Sequence, residues 1–149
     1  MFLDKRSEFC DAAALNMGAA GTYLIGNVMD IGMSGLDLGQ AGNFYLVIQV
    51  STTATSAGNA TATFKLCSDT QAAIATNGTA KTHIVTETFT LAGLNIRKTV
   101  YAAPLPRGVY DRYLGLLQVT GTAAFTAGGI NAFLTTDPNG WRAYPDASY

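Results

Sequence analysis

The chain has 149 residues, of which 48% are hydrophobic and only 13% charged, and its formal net charge is −1. This length suits one domain, while the charged share is about half the usual one. Lysine and arginine occur singly, without the basic stripe of a nucleic-acid-binding protein, and no apolar run approaches the ~20 residues that span a bilayer. A surface so poor in charge is easily desolvated, so the composition favours association with other copies or with a larger partner.

Residues 1–20 are predicted to form an extended N-terminal arm. Asp11 could cap one helical turn, but Gly18 and Gly21 would end it early. Acidic residues interrupt the basic-then-apolar layout of a secretory signal. We therefore expect an arm that reaches across the body or onto a neighbour, in a protein made and used without a secretory step.

Residues 21–135 are predicted to form the body of the protein from short strands. Candidate strands before the last two cover residues 23–30, 43–51, 60–69, 82–91 and 94–103. Residues 43–51 (NFYLVIQVS) are apolar on both faces, so this strand should be covered on both sides. In the next strand Phe64 and Leu66 point inward, and in residues 82–91 the predicted apolar face contains Val85. The glycine-rich residues 32–42 lack both phosphate-binding fingerprints and indicate a loop.

Residues 105–134 are predicted to form the centre of the fold. Pro106 and Gly108 bracket a chain reversal, after which Leu114 and Leu116 fall on one strand face and Leu117 on the other. A short Thr-Gly-Thr turn at residues 120–122 separates this strand from a second apolar run. The pattern is typical of an antiparallel hairpin.

The predicted fold is all-β: a β-sandwich with jelly-roll-like topology and about eight antiparallel strands, followed by a C-terminal tail at residues 136–149. Turn signals recur about every ten residues, and no long helix is indicated. An immunoglobulin-type sandwich is the alternative, but its Cys…Trp…Cys spacing is missing.

The residues that could carry chemistry are few. His83 has no histidine partner at metal-ligand spacing, and Glu87 would lie ~13 Å away along a strand, so a structural or solvent-facing histidine is favoured. Cys10 and Cys67 are expected to be buried thiols rather than a disulfide. We therefore expect no catalytic residues, metal or cofactor, and a protein that is not an enzyme.

Charged and aromatic residues near the turn and in the tail are candidates for binding. Asp111 and Arg112 could form an ion pair that ties the turn to a strand end, or an anion or carbohydrate site. Arg107 could grip the carboxylate of a partner subunit. Trp141 and Tyr144 are favoured as interface anchors, although exposed aromatic rings also stack on sugars.

Three stretches carry a family resemblance. They are FLDK at residues 2–5 followed by Glu8-Phe9 and Asp11-Ala12, FYLVIQV at residues 44–50, and APLPRG at residues 103–108 followed by Arg112-Tyr113-Leu114. In this order and spacing they resemble the capsid cement (decoration) proteins of short-tailed double-stranded-DNA bacteriophages.

The resemblance implies a jelly-roll protein, made in the cytoplasm of a bacterial host, that sits on the outer capsid surface of the virion. It would bind junctions between major capsid protein subunits as a homo-oligomer, a dimer in preference to a trimer, and stabilise the shell. The candidate residues of the capsid or subunit interface are Phe2, Asp4, Lys5, Phe9, Arg107, Arg112, Trp141 and Tyr144. Removing residues 1–15 should then weaken attachment more than folding.

An alternative from another class is a carbohydrate-binding β-sandwich for host-surface attachment. It would use Trp141, Tyr144 and Arg107 to contact a glycan.

The Leu117→Ala variant tests the predicted burial of the central strand. Loss of a buried leucine side chain should lower the free energy of unfolding by ~2–5 kcal/mol. Urea melts of the two proteins measure the difference, and equal midpoints would place Leu117 outside the core.

Overall fold

The computed structural model describes residues 7–40 and 44–136. Within them lie eight strands and one short 3-10 helix, Leu91–Gly93, so the all-β prediction is confirmed. The strands are β1 (Glu8–Ala14), β2 (Gly21–Asp30), β3 (Tyr45–Thr55), β4 (Thr61–Asp69), β5 (Lys81–Val85), β6 (Thr99–Pro104), β7 (Tyr113–Gly121) and β8 (Ala127–Thr135). In these ranges no helix has the length and apolar character needed to cross a membrane.

The strands form two four-stranded antiparallel sheets. The first has the order β1-β8-β3-β6 and the second the order β2-β7-β4-β5. Consecutive strands alternate between the sheets, except β4 and β5, which are neighbours in the second sheet. This is the eight-stranded double-sheet arrangement of a jelly roll.

The main core lies between the two sheets and follows the alternation of the strands. β3 is a central strand between β8 and β6, and its residues 46–50 are buried on both faces, as predicted. Phe64 and Leu66 of β4 and Leu114 and Leu116 of β7 contribute fully buried side chains from the second sheet. The faces of these strands were therefore predicted correctly.

The predicted hairpin between the last two strands is wrong. β7 and β8 lie in opposite sheets, and residues 122–126 carry the chain from one sheet to the other. Phe125 of this connection is buried in the main core, which fixes the crossing. A short link between two apolar runs is thus compatible with a corner of the sandwich as well as with a hairpin.

The predicted arm also needs correction. Residues 8–14 form β1, which pairs with β8 at the edge of the first sheet. Phe9 and Leu15 are fully buried in the main core. Removing residues 1–15 should therefore unfold the protein, because it deletes a strand and the core side chains of Phe9, Cys10 and Leu15. Residues 1–6 of the predicted arm, and all of the predicted tail except Thr136, lie outside the described residues.

The strand predicted at residues 82–91 is shorter and faces the other way. β5 ends at Val85, whose side chain is 57% exposed, while Ile84 points into the core. The next residue, Thr86, is buried, and its hydroxyl oxygen accepts a hydrogen bond from the Phe64 backbone N–H at 3.0 Å. The threonine side chain thus takes the place of a backbone partner, and the regular strand ends.

A second, smaller core lies on the outer face of the second sheet. Leu117 is only 4% exposed there and packs with Cys67, Ile74 and Ala80, two of which come from the β4–β5 connection. The Asp69 carboxylate holds this connection by accepting backbone N–H groups, which lower its pKa. β7 is therefore covered on both faces.

Thr122 provides a test of backbone strain in the β7–β8 connection. It is exposed, and its φ of 69° is unfavourable for a β-branched residue. Thr122→Gly should relieve about 1–2 kcal/mol of strain and lose about 0.5–1 kcal/mol through a more flexible unfolded chain.

The expected net result is a rise in the free energy of unfolding, measured by urea melts. Ala124→Gly is the control, since Ala124 is exposed in the same connection without a positive φ. Ala124→Gly should lower the free energy of unfolding. If Thr122→Gly lowered it by as much, the backbone at Thr122 would not be strained.

Candidate interaction surface

One end of the sandwich collects the segments that the sequence analysis singled out. Tyr45 pairs with both Pro104 and Thr135 in the first sheet, and Tyr113 pairs with both Asp30 and Asp69 in the second. The connections at residues 31–44 and 105–112 join these strand ends. We call the surface formed by residues 31–40, Phe44 and 105–112 the arginine end, because it carries Arg107 and Arg112.

The two loops of the arginine end are tied to each other. Gly35 N–H donates to the Tyr110 carbonyl at 2.8 Å, and Tyr110 N–H donates to the Leu36 carbonyl at 2.9 Å. Arg112 N–H donates to Ser34 Oγ at 3.1 Å. At Gly39 the backbone approaches the Pro106 carbonyl so closely that a Cβ atom would collide with it. These contacts hold the loops as one unit.

Arg112 forms a bidentate ion pair with Asp30, a residue distant in the sequence. Its Nε and Nη2 atoms donate to the two carboxylate oxygens of Asp30 at 3.0 and 3.1 Å. These hydrogen bonds lower the pKa of Asp30, and the guanidinium also lies 5.2 Å from the ring centroid of Tyr113. Because both partners are half exposed, the pair orients the side chains more than it stabilises the fold.

Arg107 is held more loosely and is more accessible. Its Nε atom lies 3.4 Å from a carboxylate oxygen of Asp37, and 72% of its side chain is exposed. Asp37 is itself fixed by N–H groups of Gly39 and Gly108 at 3.1 and 3.2 Å. Most of the Arg107 side chain is therefore accessible to a partner.

The expected ion pair between neighbours Asp111 and Arg112 does not form. Arg112 pairs with Asp30, while Asp111 pairs with Lys81 at 3.4 Å. Each pair nevertheless links the 105–112 loop to the end of a strand in the second sheet, as the predicted ion pair was expected to do, but with a partner that is distant in the sequence.

Exposed apolar side chains concentrate at the same end. Of the seven large hydrophobic side chains classed as exposed in residues 7–40 and 44–136, four belong to the arginine end: Met33, Leu36, Phe44 and Val109. Leu36 and Val109 lie beside the backbone pairing between the loops. The sequence analysis named none of these four as an interface residue; the available signal for Met33, Leu36 and Val109 was a large apolar residue directly after a glycine in a loop.

His83 lies beneath the arginine end and is structural rather than solvent-facing. Its Nε2 atom is 2.7 Å from Ser68 Oγ, and its ring stacks on Tyr110 with centroids 3.8 Å apart. Ser68 is fully buried and accepts the Asp111 backbone N–H at 3.0 Å. Burial, and to a smaller extent Lys81, lower the pKa of His83. The serine hydroxyl is therefore used in hydrogen bonds within the fold and is not accessible to a substrate.

The remaining candidate residues have different outcomes. Phe9 was predicted to be an interface residue, but it is a core residue of β1. Phe2, Asp4, Lys5, Trp141 and Tyr144 lie outside the described residues. The carbohydrate-binding alternative, which depends on Trp141 and Tyr144, stays a prediction.

A cleft of about 300 Å³ lies on the outer face of the second sheet, lined by threonine side chains, Lys65 and Leu117. Across residues 7–40 and 44–136, no three His, Cys, Asp or Glu side chains are grouped to hold a metal ion. The arginine end is therefore the best-defined candidate for binding.

Fold and surface together define an eight-stranded jelly-roll protein with an apolar, arginine-bearing end. The Bbp16 family model matches residues 9–134 of the chain. The chain belongs to the Bbp16 family. A comparison with curated proteins finds no match.

The two cysteines allow a test of the packing beneath these surfaces. Both are free and buried, and burial raises the pKa of Cys10 to about 12 and also raises that of Cys67. Neither thiol should react with Ellman's reagent in the native protein at pH 8, because the thiolate is the nucleophile. Both should react in urea, and rapid reaction of Cys10 in the native protein would contradict its burial.

Proposed function

We propose that this protein is a virion structural protein, a cement (decoration) protein of a bacteriophage. It binds the outer surface of the capsid at junctions between major capsid protein subunits and stabilises the shell. The observation that carries the proposal is the arginine end, where exposed apolar side chains and two arginines are mounted on one tied pair of loops.

The composition of the arginine end supports a protein partner. Protein interfaces are enriched in aromatic residues, methionine and arginine and are depleted of lysine at their centre. Met33, Phe44 and the two arginines fit this composition, and Val109 adds exposed apolar surface in the same loop as the arginines. The hydrogen bonds between the loops reduce the conformational entropy that docking would cost.

The position of the resembling stretches also supports the proposal. APLPRG (residues 103–108) ends β6 and enters the arginine end, and Arg112 follows in the same loop. FYLVIQV (residues 44–50) begins with Phe44 at this end, where its carbonyl accepts the Leu105 N–H at 2.9 Å. Two of the three stretches that resemble cement proteins therefore meet at the surface proposed to bind.

The proposed assembly is a homo-oligomer, a dimer in preference to a trimer, made in the cytoplasm of the bacterial host. An oligomer presents several arginine ends to the major capsid protein. Linked contacts of modest strength then bind much more tightly than one contact alone. The low charge of the whole chain suits such close packing on a shell.

Mass spectrometry of purified particles tests the location of the protein. The chain should be present in particles and should be released by treatments that strip external proteins while leaving the DNA enclosed. Particles that lack the chain would refute the proposal.

A pair of valine variants tests the docking surface. Val109 at the arginine end is 58% exposed, and Val85 at the end of β5 is 57% exposed, so the same substitution is made at equal exposure. Val109→Asp should weaken binding to shells lacking this protein at least about tenfold, equivalent to 1.4 kcal/mol, because it places a charge in the interface.

Val85→Asp is the control and should bind as the wild type does. Co-sedimentation with the shells measures binding, and thermal melts verify that both variants fold. If Val109→Asp bound as tightly as the wild type, the arginine end would not be part of the interface. If both variants lost binding equally, the loss could not be assigned to the arginine end.

A further inference from the structure

A buried serine connects the second sheet to the loop that carries both arginines. Ser68 Oγ lies 2.7 Å from His83 Nε2 and accepts the Asp111 N–H at 3.0 Å. Because Ser68 is fully buried, its single hydroxyl proton needs an acceptor. The Nε2 lone pair of a neutral imidazole is at the right distance to accept it, which assigns the ring proton to Nδ1.

The same contacts position the 105–112 loop. Asp111 is flanked by Tyr110, whose ring stacks on His83, and by Arg112, which pairs with Asp30. The Tyr110 hydroxyl donates to the Pro106 carbonyl at 2.6 Å within the loop. His83 and Ser68, on β5 and β4, thus form the sheet side of the attachment, and residues 106–112 form the loop side.

We propose that His83 is a proton-sensitive latch for the arginine end: neutral His83 holds the 105–112 loop on the second sheet through Ser68, and protonated His83 releases it. An imidazolium ring has two donors and no acceptor. On protonation, the proton of the buried Ser68 hydroxyl loses its acceptor, and the serine oxygen must accept from both His83 and Asp111. Opening of the loop restores solvation to all three groups.

The surrounding charges decide the direction of the effect. Lys81, on the same strand, opposes a charge on His83, whereas Asp111 on the loop favours it but is paired with Lys81 at 3.4 Å. Burial and Asp37 raise the pKa of Tyr110 to about 12, so the stacked phenol stays neutral. Its ring would tolerate a cation, so release acts through the serine proton. Burial remains the largest influence and lowers the pKa of His83.

The pH range follows from the sign of this change. Because the closed loop lowers the pKa of His83 and the open loop returns it toward 6.5, the open state binds protons more readily. The latch is closed above pH 6.5 and weakens as the pH falls below that value. If the closed state stays unprotonated at pH 5.0, the open population rises by at most about thirtyfold.

Hydrogen exchange on the full-length protein tests the latch without any capsid, so its result is independent of the proposed function. Protection of the Tyr110, Asp111 and Arg112 amides is compared at pH 7.5 and 5.0 after correction for intrinsic exchange. We expect a severalfold to about thirtyfold loss in the wild type. Amides in the central strand β3 should keep their protection.

Two variants make the test specific. His83→Gln supplies an amide oxygen for the Ser68 proton but does not titrate, so its loop protection should be the same at both pH values. Ser68→Ala should give low loop protection at both. Unchanged wild-type protection between pH 7.5 and 5.0, or an equal fall in His83→Gln, would overturn the latch.

Discussion

Tyr110 connects the core of the sandwich to the loops at the arginine end, and the geometry of that end depends on it. Its side chain is fully buried and belongs to the main core. Its backbone forms two of the hydrogen bonds that tie the two loops, and its hydroxyl donates to the Pro106 carbonyl within its own loop. A large ring buried beneath a short loop leaves that loop few alternative conformations. The exposed side chains on either side of Tyr110, above all Val109 and Arg112, are thereby held in fixed positions.

Local sequence patterns predicted the faces of the central strands correctly, but they did not predict the face of β5 or the connections between strands. Alternation assigned Phe64, Leu66, Leu114 and Leu116 correctly to the core, because a strand buried on one face must repeat its apolar residues every second position. Reasoning from local patterns failed for the connection between β7 and β8. Loop length and turn residues alone do not distinguish a hairpin from a sheet crossing, and the deciding contact, burial of Phe125, is tertiary.

The candidate surface was still harder to predict, because its determinants are far apart in the chain. Arg112 and Asp30 are 82 residues apart, and Arg107 and Asp37 are 70 apart. Sequence reasoning identified both arginines as binding candidates from their place beside a rigid turn, but it had no means of finding their partners. It likewise placed Phe9 on an interface, whereas β1 joins the edge of the first sheet and the Phe9 side chain points into the core.

The aspartates that pair with Arg107 and Arg112 affect how selectively the arginine end can bind other proteins. Unpaired arginines beside exposed methionine, leucine and valine would attract many acidic surfaces without selectivity. At the arginine end each guanidinium instead has a carboxylate within 3.4 Å, so a partner must offer something better than the existing pair. Under the proposed function this favours a shape-matched apolar contact at the centre, with the ion pairs at the rim setting orientation. Under the same proposal, a chain with little charge elsewhere would depend on geometry rather than net charge to find its place on a shell.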